Sequence, residues 1–167
     1  MAGDAQSQPD ALEASRHWGG TNMLPPDLVE VIEQDHRALD AIVRGDQGPK
    51  KAVFSHRDDV TLANPLGPPA RGWDQVEKTL DRSVPQMRDG EPIRFERIVE
   101  YADGDLAYIL EFERWRGKAG SSDEIVPMAL RVTTIFRRED GVWKIALRQA
   151  DPITTPRAPE SIRDEEA

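Results

Sequence analysis

The sequence predicts an α+β fold in which three helices precede a curved four-stranded antiparallel sheet. Through much of the first half of the chain, apolar residues recur at three- and four-residue spacing, as they do along the buried face of a helix. From Pro92 onwards, apolar and polar residues alternate, as they do in a strand with one buried face. Helices segregated beside an antiparallel sheet are typical of the α+β class, and such a sheet can curl around the helices to leave a conical pocket.

The composition favours one domain and excludes several kinds of partner. The chain has 167 residues, of which 38% are hydrophobic, and this is enough to fill a single core. The formal net charge of −9 argues against nucleic acid or an anionic membrane as the main partner, because both require clustered Lys and Arg. The chain has no cysteine, which excludes a disulfide, a thiolate zinc site and a cysteine nucleophile.

Both ends are expected to lie outside the domain, which we place at residues 25–152. Residues 1–24 are polar and lack a sustained period, and residues 153–167 end in a run of acidic residues, so we predict a flexible arm and a flexible tail. Trp18 is either a stray exposed residue of the arm or a contact to a neighbouring subunit. The start of the chain is acidic and no apolar run is long enough to span a membrane, so we expect a cytoplasmic protein.

The first helix is predicted to run from Pro25 and Pro26 to about Arg44. Proline is favoured in a first turn, and Gly45 is placed to end the helix. Its apolar stripe consists of Leu28, Val31, Ile32, Leu39, Ile42 and Val43. Asp35 projects close to the middle of this stripe and is the clearest breach of the apolar pattern in the chain.

A second, short helix is predicted at residues 49–55, followed by a short strand at residues 60–63 that stops at Asn64 and Pro65. A Pro- and Gly-rich loop then leads to a third helix, which begins at Gly72. The apolar residues of this helix keep a three- and four-residue spacing: Trp73, Val76, Leu80, Val84 and Met87.

Four strands joined as a meander are predicted after Pro92. Asp103 with Gly104, and Asp140 with Gly141, suit the positive φ angles of tight hairpin turns. In the third strand, one face carries Leu130, Val132, Thr134 and Phe136, and the other carries Arg131, Thr133, Ile135 and Arg137. The charged residues of the second strand are typical of an outer face: Glu111, Glu113, Arg114, Arg116 and Lys118.

Two segments resemble SnoaL-like and ketosteroid-isomerase-like proteins of the NTF2-like superfamily, which has the cystatin-like fold. GDQGPKKAVFSHRDDVTLANPLGPPARGWDQV resembles the segment that runs in those proteins from the end of the first helix, through an acidic strand start and a Pro-Gly loop, to the third helix. RVTTIFRREDGVWKIALRQAD resembles their last hairpin. The resemblance implies a cone-shaped barrel, with three N-terminal helices packed on a curved antiparallel sheet.

The resemblance does not extend to the catalytic groups of a ketosteroid isomerase. That enzyme uses a carboxylate base and an oxyanion hole formed by a Tyr and a protonated Asp. The matching positions here hold Asn64, Ala38 and Thr133. Many SnoaL-like sequences end their last strand in a His, where this chain has Gln149. The superfamily also includes cyclases, dehydratases, epoxide hydrolases and proteins that only bind or associate, so the fold does not choose an activity.

Asp35 and Arg131 are the predicted catalytic residues. A carboxylate on an apolar helix face has its pKa raised by desolvation unless it is paired, so Asp35 needs a partner or serves as an acid or base. In the geometry of the family, the strand face of Arg131 looks into the barrel. Arg131 could therefore pair with Asp35 or stabilise developing negative charge. A purely structural pair is the alternative.

Several other residues are predicted to contribute to a small-molecule site: Asn64, Trp73, Tyr108, Thr133, Gln149 and Asp151. Turn formation or strand and helix packing would explain Asn64, Trp73 and Tyr108 equally well. His36 and Asp40 have the spacing of a metal-binding pair, but no second pair supports them, so neither a metal nor a cofactor is expected.

The preferred hypothesis is a homodimer that binds a small apolar or aromatic molecule. The subunits would meet through the outer face of the sheet, with Leu130, Val132, Thr134 and Phe136 under the partner. An activity would be proton transfer, as in isomerisation, cyclisation or dehydration. One alternative is an epoxide-hydrolase-like enzyme built from Asp35, Arg131 and Asp151. The other is a non-catalytic module for ligand sensing or association.

Overall fold

The computed structural model describes residues 23–163, which form three α-helices and six strands. The helices are α1 (Pro26–Ile42), α2 (Gly48–Val53) and α3 (Trp73–Ser83). The strands are β1 (Thr61–Ala63), β2 (Ala70–Arg71), β3 (Met87–Asp103), β4 (Leu106–Ala119), β5 (Val126–Glu139) and β6 (Val142–Asp151). Short 3-10 helices occupy Val84–Gln86 and Pro159–Ile162. Trp18, most of the predicted arm and the last four residues of the predicted tail lie outside the described residues.

All six strands belong to one sheet, in the order β2-β1-β6-β5-β4-β3. The long strands β3 to β6 form the predicted antiparallel meander, while β1 pairs parallel to β6 and antiparallel to β2. The α+β class is therefore confirmed. The sheet is curved but does not close, because β2 and β3 are its two free edges, and this corrects the predicted barrel. The helices also do not form an uninterrupted N-terminal group, because β1 and β2 separate α2 from α3.

Helix α1 covers the sheet with the face that the sequence pattern predicts. Its buried residues are Leu28, Ile32, Asp35, Ala38 and Leu39. Gly45 follows the helix with a φ of 92° and donates its N–H to the carbonyl of Ile42, a conformation that favours glycine. A side chain at Gly90 of β3 would collide with Val43, since its Cβ would lie 2.4 Å from the Val43 carbonyl oxygen. The absence of that side chain lets the sheet approach the end of α1.

The inner face of the sheet carries the core. Phe136, Trp143 and Ile145 are buried together with residues of α1, α2 and α3 in the main apolar cluster. Full burial of such side chains contributes roughly 1.5–3 kcal/mol each to stability. Val132 and Thr134 are completely buried on the same face of β5, so the expectation that this face lies under a partner subunit is wrong.

The outer face of the sheet therefore carries the other set of alternating residues. Arg131 is paired across the strands with Phe112 and Asp151, and Thr133 with Leu110 and Gln149. Directly paired residues of neighbouring strands project to the same side of a sheet. None of the helices within residues 23–163 is long and apolar enough to cross a membrane.

Candidate functional site

A cavity of about 420 Å³ lies between the helices and the inner face of the sheet. Such a volume lies within the range of roughly 300–1,000 Å³ that is usual for small-molecule sites. Its wall is mainly apolar and is formed by residues that include Leu39, Leu62, Leu80, Trp115, Met128 and Leu130. The cavity can therefore accommodate an apolar or aromatic group.

Four polar side chains from different elements line the cavity. Lys50 comes from α2, Asn64 follows β1, Glu113 comes from β4 and Arg148 from β6. The parallel pairing of β1 with β6 places Ala63 beside Gln149, and thereby brings the end of β1 next to Arg148. The polar group thus depends on contacts between distant parts of the chain.

Glu113 and Arg148 form a buried ion pair. The Nη2 atom of Arg148 donates to Oε2 of Glu113 at 2.5 Å, and its Nη1 atom donates to Oδ1 of Asn64 at 3.1 Å. Arg148 Nε is buried and has no acceptor within the described residues. A buried donor without an acceptor costs about 1–3 kcal/mol, so the ion pair is formed at some cost in stability.

Trp115 supplies a second such donor in the cavity wall. Its indole Nε1 is buried and, within residues 23–163, donates to no acceptor. A buried indole N–H usually finds a partner. The cavity wall is mainly apolar, and two of its residues, Trp115 and Arg148, each have a buried N–H group that lacks an acceptor within residues 23–163.

Asp35 and Lys50 form a second buried ion pair. The side chains of Asp35 and Lys50 are only 2% and 6% exposed, and the Lys50 ammonium donates to Oδ1 of Asp35. Lys50 lines the cavity, whereas Asp35 does not. The carboxylate of Asp35 therefore positions the ammonium of Lys50 without itself lining the cavity. The prediction that Arg131 is the partner of Asp35 is wrong.

A third buried carboxylate, Glu111, lies outside the cavity. Its Oε1 atom is 2.8 Å from Nε2 of His36, and its Oε2 atom accepts from Nε of Arg97 at 3.1 Å. Burial by itself raises the pKa of Glu111, but the hydrogen bond and charge of His36, together with Arg97, outweigh it and lower the pKa below its usual range. The His36 ring also stacks on Phe95, with 3.8 Å between the ring centroids. This network fastens α1 to the sheet.

Most of the other predicted site residues lie away from the cavity. Arg131 is 43% exposed and forms an ion pair with Asp151, in which Nη2 is 2.9 Å from Oδ2. Thr133 and Gln149 pair with each other on the outer face, and Tyr108 stacks on Tyr101 there. These positions follow because the face of β5 that carries Arg131 and Thr133 is the outer face, not the face that packs on the core.

Of the predicted ligand-binding residues, Asn64 lines the cavity and Trp73 does not. Trp73 stacks on His56 at 3.7 Å between ring centroids and packs against the main apolar cluster. Within residues 23–163, no three His, Asp or Glu side chains are grouped as metal ligands.

Sequence reasoning missed Lys50, Glu113 and Arg148. A usable signal existed for Glu113, because Trp115 and Ile109 share its strand face and are both buried. An aromatic residue two positions away on a strand indicates the face that packs on the core. The charged run in β4 is therefore only partly an outer face: Glu111 and Glu113 point inwards, which corrects the expectation for them.

Comparison with known proteins places the chain among similar folds. A family model described as the SnoaL-like domain matches residues 36–150. A ketosteroid isomerase-like protein from Erwinia carotovora atroseptica has 18% identity and a TM-score of 0.64, over 79% of this chain and 100% of that one. An NTF2-like superfamily protein from Salmonella enterica has 15% identity and a TM-score of 0.63, over 80% of this chain and 96% of that one.

A third structure with a similar fold is the hexachlorocyclohexane dehydrochlorinase LinA-type3 from Novosphingobium barchaimii. It has 16% identity and a TM-score of 0.58, over 89% of this chain and 93% of that one. At these identities the likeness concerns the fold. A search of curated protein sequences finds no significant match. Because the family model spans most of the chain, this protein belongs to the SnoaL-like family, and its fold is that of the solved ketosteroid isomerase-like and NTF2-like structures.

Proposed function

We propose that this protein binds a small apolar or aromatic molecule with one oxygen acceptor and catalyses a proton transfer on it. One observation carries the proposal: a largely apolar cavity is lined by the buried Glu113–Arg148 ion pair and by Lys50. An apolar pocket with a few convergent polar groups is the usual form of a small-molecule site. Buried ionisable groups in such a pocket are candidates for acid–base chemistry.

Glu113 is the proposed base. Only its Oε2 atom accepts from Arg148, and within the described residues its other carboxylate oxygen has no hydrogen-bond donor. That oxygen would take a proton from a ligand carbon next to a carbonyl group. The negative charge that develops on the ligand oxygen would be stabilised by the positive charges of Arg148 and Lys50, which line the cavity. Return of the proton to another carbon completes an isomerisation.

Lys50 is the proposed second charged group at the ligand, and Asp35 is its positioning residue. The ion pair with Asp35 fixes the ammonium of Lys50 at the cavity wall, where it can stabilise an anionic intermediate or donate a proton to a leaving group. Asn64 orients the guanidinium of Arg148. Trp73 and the outer-face residues Arg131, Tyr108, Thr133 and Gln149 have no part in this site.

The test combines a binding screen with a proton-exchange assay. Cyclic and aryl ketones that raise the Tm of the wild type would be incubated with it in D₂O, and deuterium incorporation beside the carbonyl would be followed by NMR. Glu113→Gln keeps the side-chain size but removes the base, and we expect it to slow incorporation by about 100-fold or more. Glu96→Gln is the matched control, because Glu96 is also bonded to arginines but lies outside the cavity.

The assay separates catalysis from binding alone. A ketone that binds but exchanges its protons equally in wild type and Glu113→Gln would refute the catalytic part and leave a ligand-sensing module. The geometry gives no support to the epoxide-hydrolase alternative, which needs Asp35, Arg131 and Asp151 around one water. Asp35 is bonded to Lys50 on the inner side, while Arg131 and Asp151 pair on the outer face.

We also propose that the outer face of the sheet forms a homodimer. Large apolar side chains are exposed there, including Val99, Tyr101, Leu106 and Tyr108, of which Leu106 is 57% exposed. A contiguous exposed apolar patch favours a protein interface. Leu106→Arg combined with Tyr108→Glu should convert a dimer to a monomer in analytical ultracentrifugation. A wild type that sediments as a monomer would contradict this proposal.

A further inference from the structure

We infer that the ligand is an amphipathic carboxylate whose anionic head binds Arg82 in a polar compartment next to the apolar cavity. The compartment has a volume of about 220 Å³ and lies between the loop after β1 and the C-terminal part of α3. Its polar side chains include those of Asn64, Thr79, Arg82, Ser83 and Gln86. This inference rests on the proposed function, because it assumes that the apolar cavity holds the rest of the molecule.

The two spaces are adjacent. Asn64, Leu66 and Ser83 line both the apolar cavity and the polar compartment. The apolar cavity therefore lies beside polar groups at this boundary, where the Asn64 amide oxygen is already bonded to Arg148. A ligand that extends across the boundary would meet an apolar environment at one end and a polar, cationic environment at the other.

The charge of the compartment is positive, although the chain as a whole has a formal net charge of −9. Within residues 23–163, no Asp or Glu lines the compartment, and the guanidinium of Arg82 has no ion-pair or hydrogen-bond partner. The nearest acidic residues of α3 are already engaged elsewhere, since Glu77 and Asp81 both bond to Lys51, at 3.1 and 2.8 Å. Arg82 is thus available to an external anion.

A carboxylate matches these groups better than other head groups. A guanidinium can donate two parallel hydrogen bonds to a carboxylate, and the single positive charge is balanced by one carboxylate. The hydroxyl of Thr79 also lines the compartment and can donate to the same group. Ser83 is less available, because its hydroxyl donates to the carbonyl of Thr79 at 2.8 Å. A cationic head group would be repelled by Arg82, and a neutral one would gain only ordinary hydrogen bonds.

The experiment compares two probes that differ only in the head group, octanoate and 1-octanol, by isothermal titration calorimetry. We expect the wild type to bind octanoate more tightly than 1-octanol. Arg82→Gln should lower the affinity for octanoate by about fivefold, the effect of losing an exposed charge pair, and should leave the affinity for 1-octanol unchanged. Lys78→Gln is the matched control, because it removes one charge from the same helix outside both spaces. It should change neither affinity. Added salt should weaken octanoate binding alone.

Two different results would overturn the inference, and they are distinguishable from each other. Equal affinity for both probes, with no response to Arg82→Gln, would refute the carboxylate head group but leave the apolar cavity as a binding site. A Leu130→Trp variant that fills the cavity, checked for an unchanged fold by circular dichroism, should then still abolish 1-octanol binding. Binding of neither probe to the wild type, or binding that Leu130→Trp leaves intact, would refute the proposed function together with the inference.

Discussion

The two faces of the long sheet use charged residues in opposite ways. On the inner face, Glu111, Glu113 and Arg148 are buried, and each has a hydrogen-bonded partner of opposite charge. On the outer face, Arg131 and Asp151 form an ion pair in contact with solvent, among exposed apolar side chains. A buried charge that loses its partner is costly, whereas an exposed pair contributes little. Substitution of the buried inner-face charges is therefore expected to affect stability and function together.

The largest expected effect comes from breaking the buried pair beneath the cavity. Lys50→Ala leaves the Asp35 carboxylate buried without its partner, and we expect the free energy of unfolding to fall by about 3–5 kcal/mol. Urea denaturation followed by circular dichroism measures the change. The double variant Asp35→Leu with Lys50→Met, which removes both charges, should recover most of this loss. Equal destabilisation of the single and double variants would show that packing rather than charge determines the effect.

An intermediate effect is expected at Glu111, in the pH dependence of stability. Because the pKa of Glu111 is lowered in the folded state, its contribution is fully present above the pKa of the unfolded chain, roughly 4.3, and is lost as the pH falls through the lower folded value. Glu111→Gln should therefore reduce stability at neutral pH and flatten the decline in acid. Denaturation midpoints measured between neutral pH and pH 3 test this.

The outer-face residue Glu96 sharpens the same comparison. Hydrogen bonds from Arg114 and Arg94 also lower the pKa of Glu96, but 33% of this side chain is exposed, so salt screens its charge more than that of the buried Glu111. Glu96→Gln should leave the acid decline close to that of the wild type. An equal flattening in both variants would show that burial of Glu111 is unimportant.

The smallest effect is expected from Arg131→Gln on the outer face. Its ion pair with Asp151 is solvent-accessible, so the free energy of unfolding should change by no more than about 1 kcal/mol, and ligand binding in the cavity should be unchanged. Calorimetric titration and urea denaturation of the same sample measure both quantities. A loss of ligand affinity would return Arg131 to the site and contradict the assignment of the two faces.

Sequence patterns predicted the elements well because their causes are local. The predicted end of the first helix at about Arg44 lies close to the observed Ile42, and the last turn falls at Asp140 and Gly141, which have φ angles of 50° and 82°. The same reasoning identified Asp35 as a buried carboxylate. Helix periodicity and turn conformation depend on residues close in sequence, so they can be read without knowledge of the fold.

The candidate site was harder to predict because its causes are long-range. A two-residue period shows which side chains share a strand face, but not which face packs inwards. Because the outer face of β5 was predicted to be the inner one, the predicted site included Arg131, Thr133 and residues paired with them, and it left out Glu113 and Arg148. The partner of Asp35 lies fifteen residues away in another helix, and no local pattern connects the two. Only the fold brings Lys50, Glu113 and Arg148 to one cavity.

The most direct test of the central claim is an NMR titration that follows the indole N–H of Trp115, assigned by means of Trp115→Phe. If the inner cavity is the ligand site, a ligand that raises the Tm should shift this resonance, while the backbone amides of Thr133 and Gln149 on the outer face stay unchanged. Saturable binding that leaves Trp115 unperturbed and instead shifts Thr133 and Gln149 would contradict the account and move the site to the outer face of the sheet.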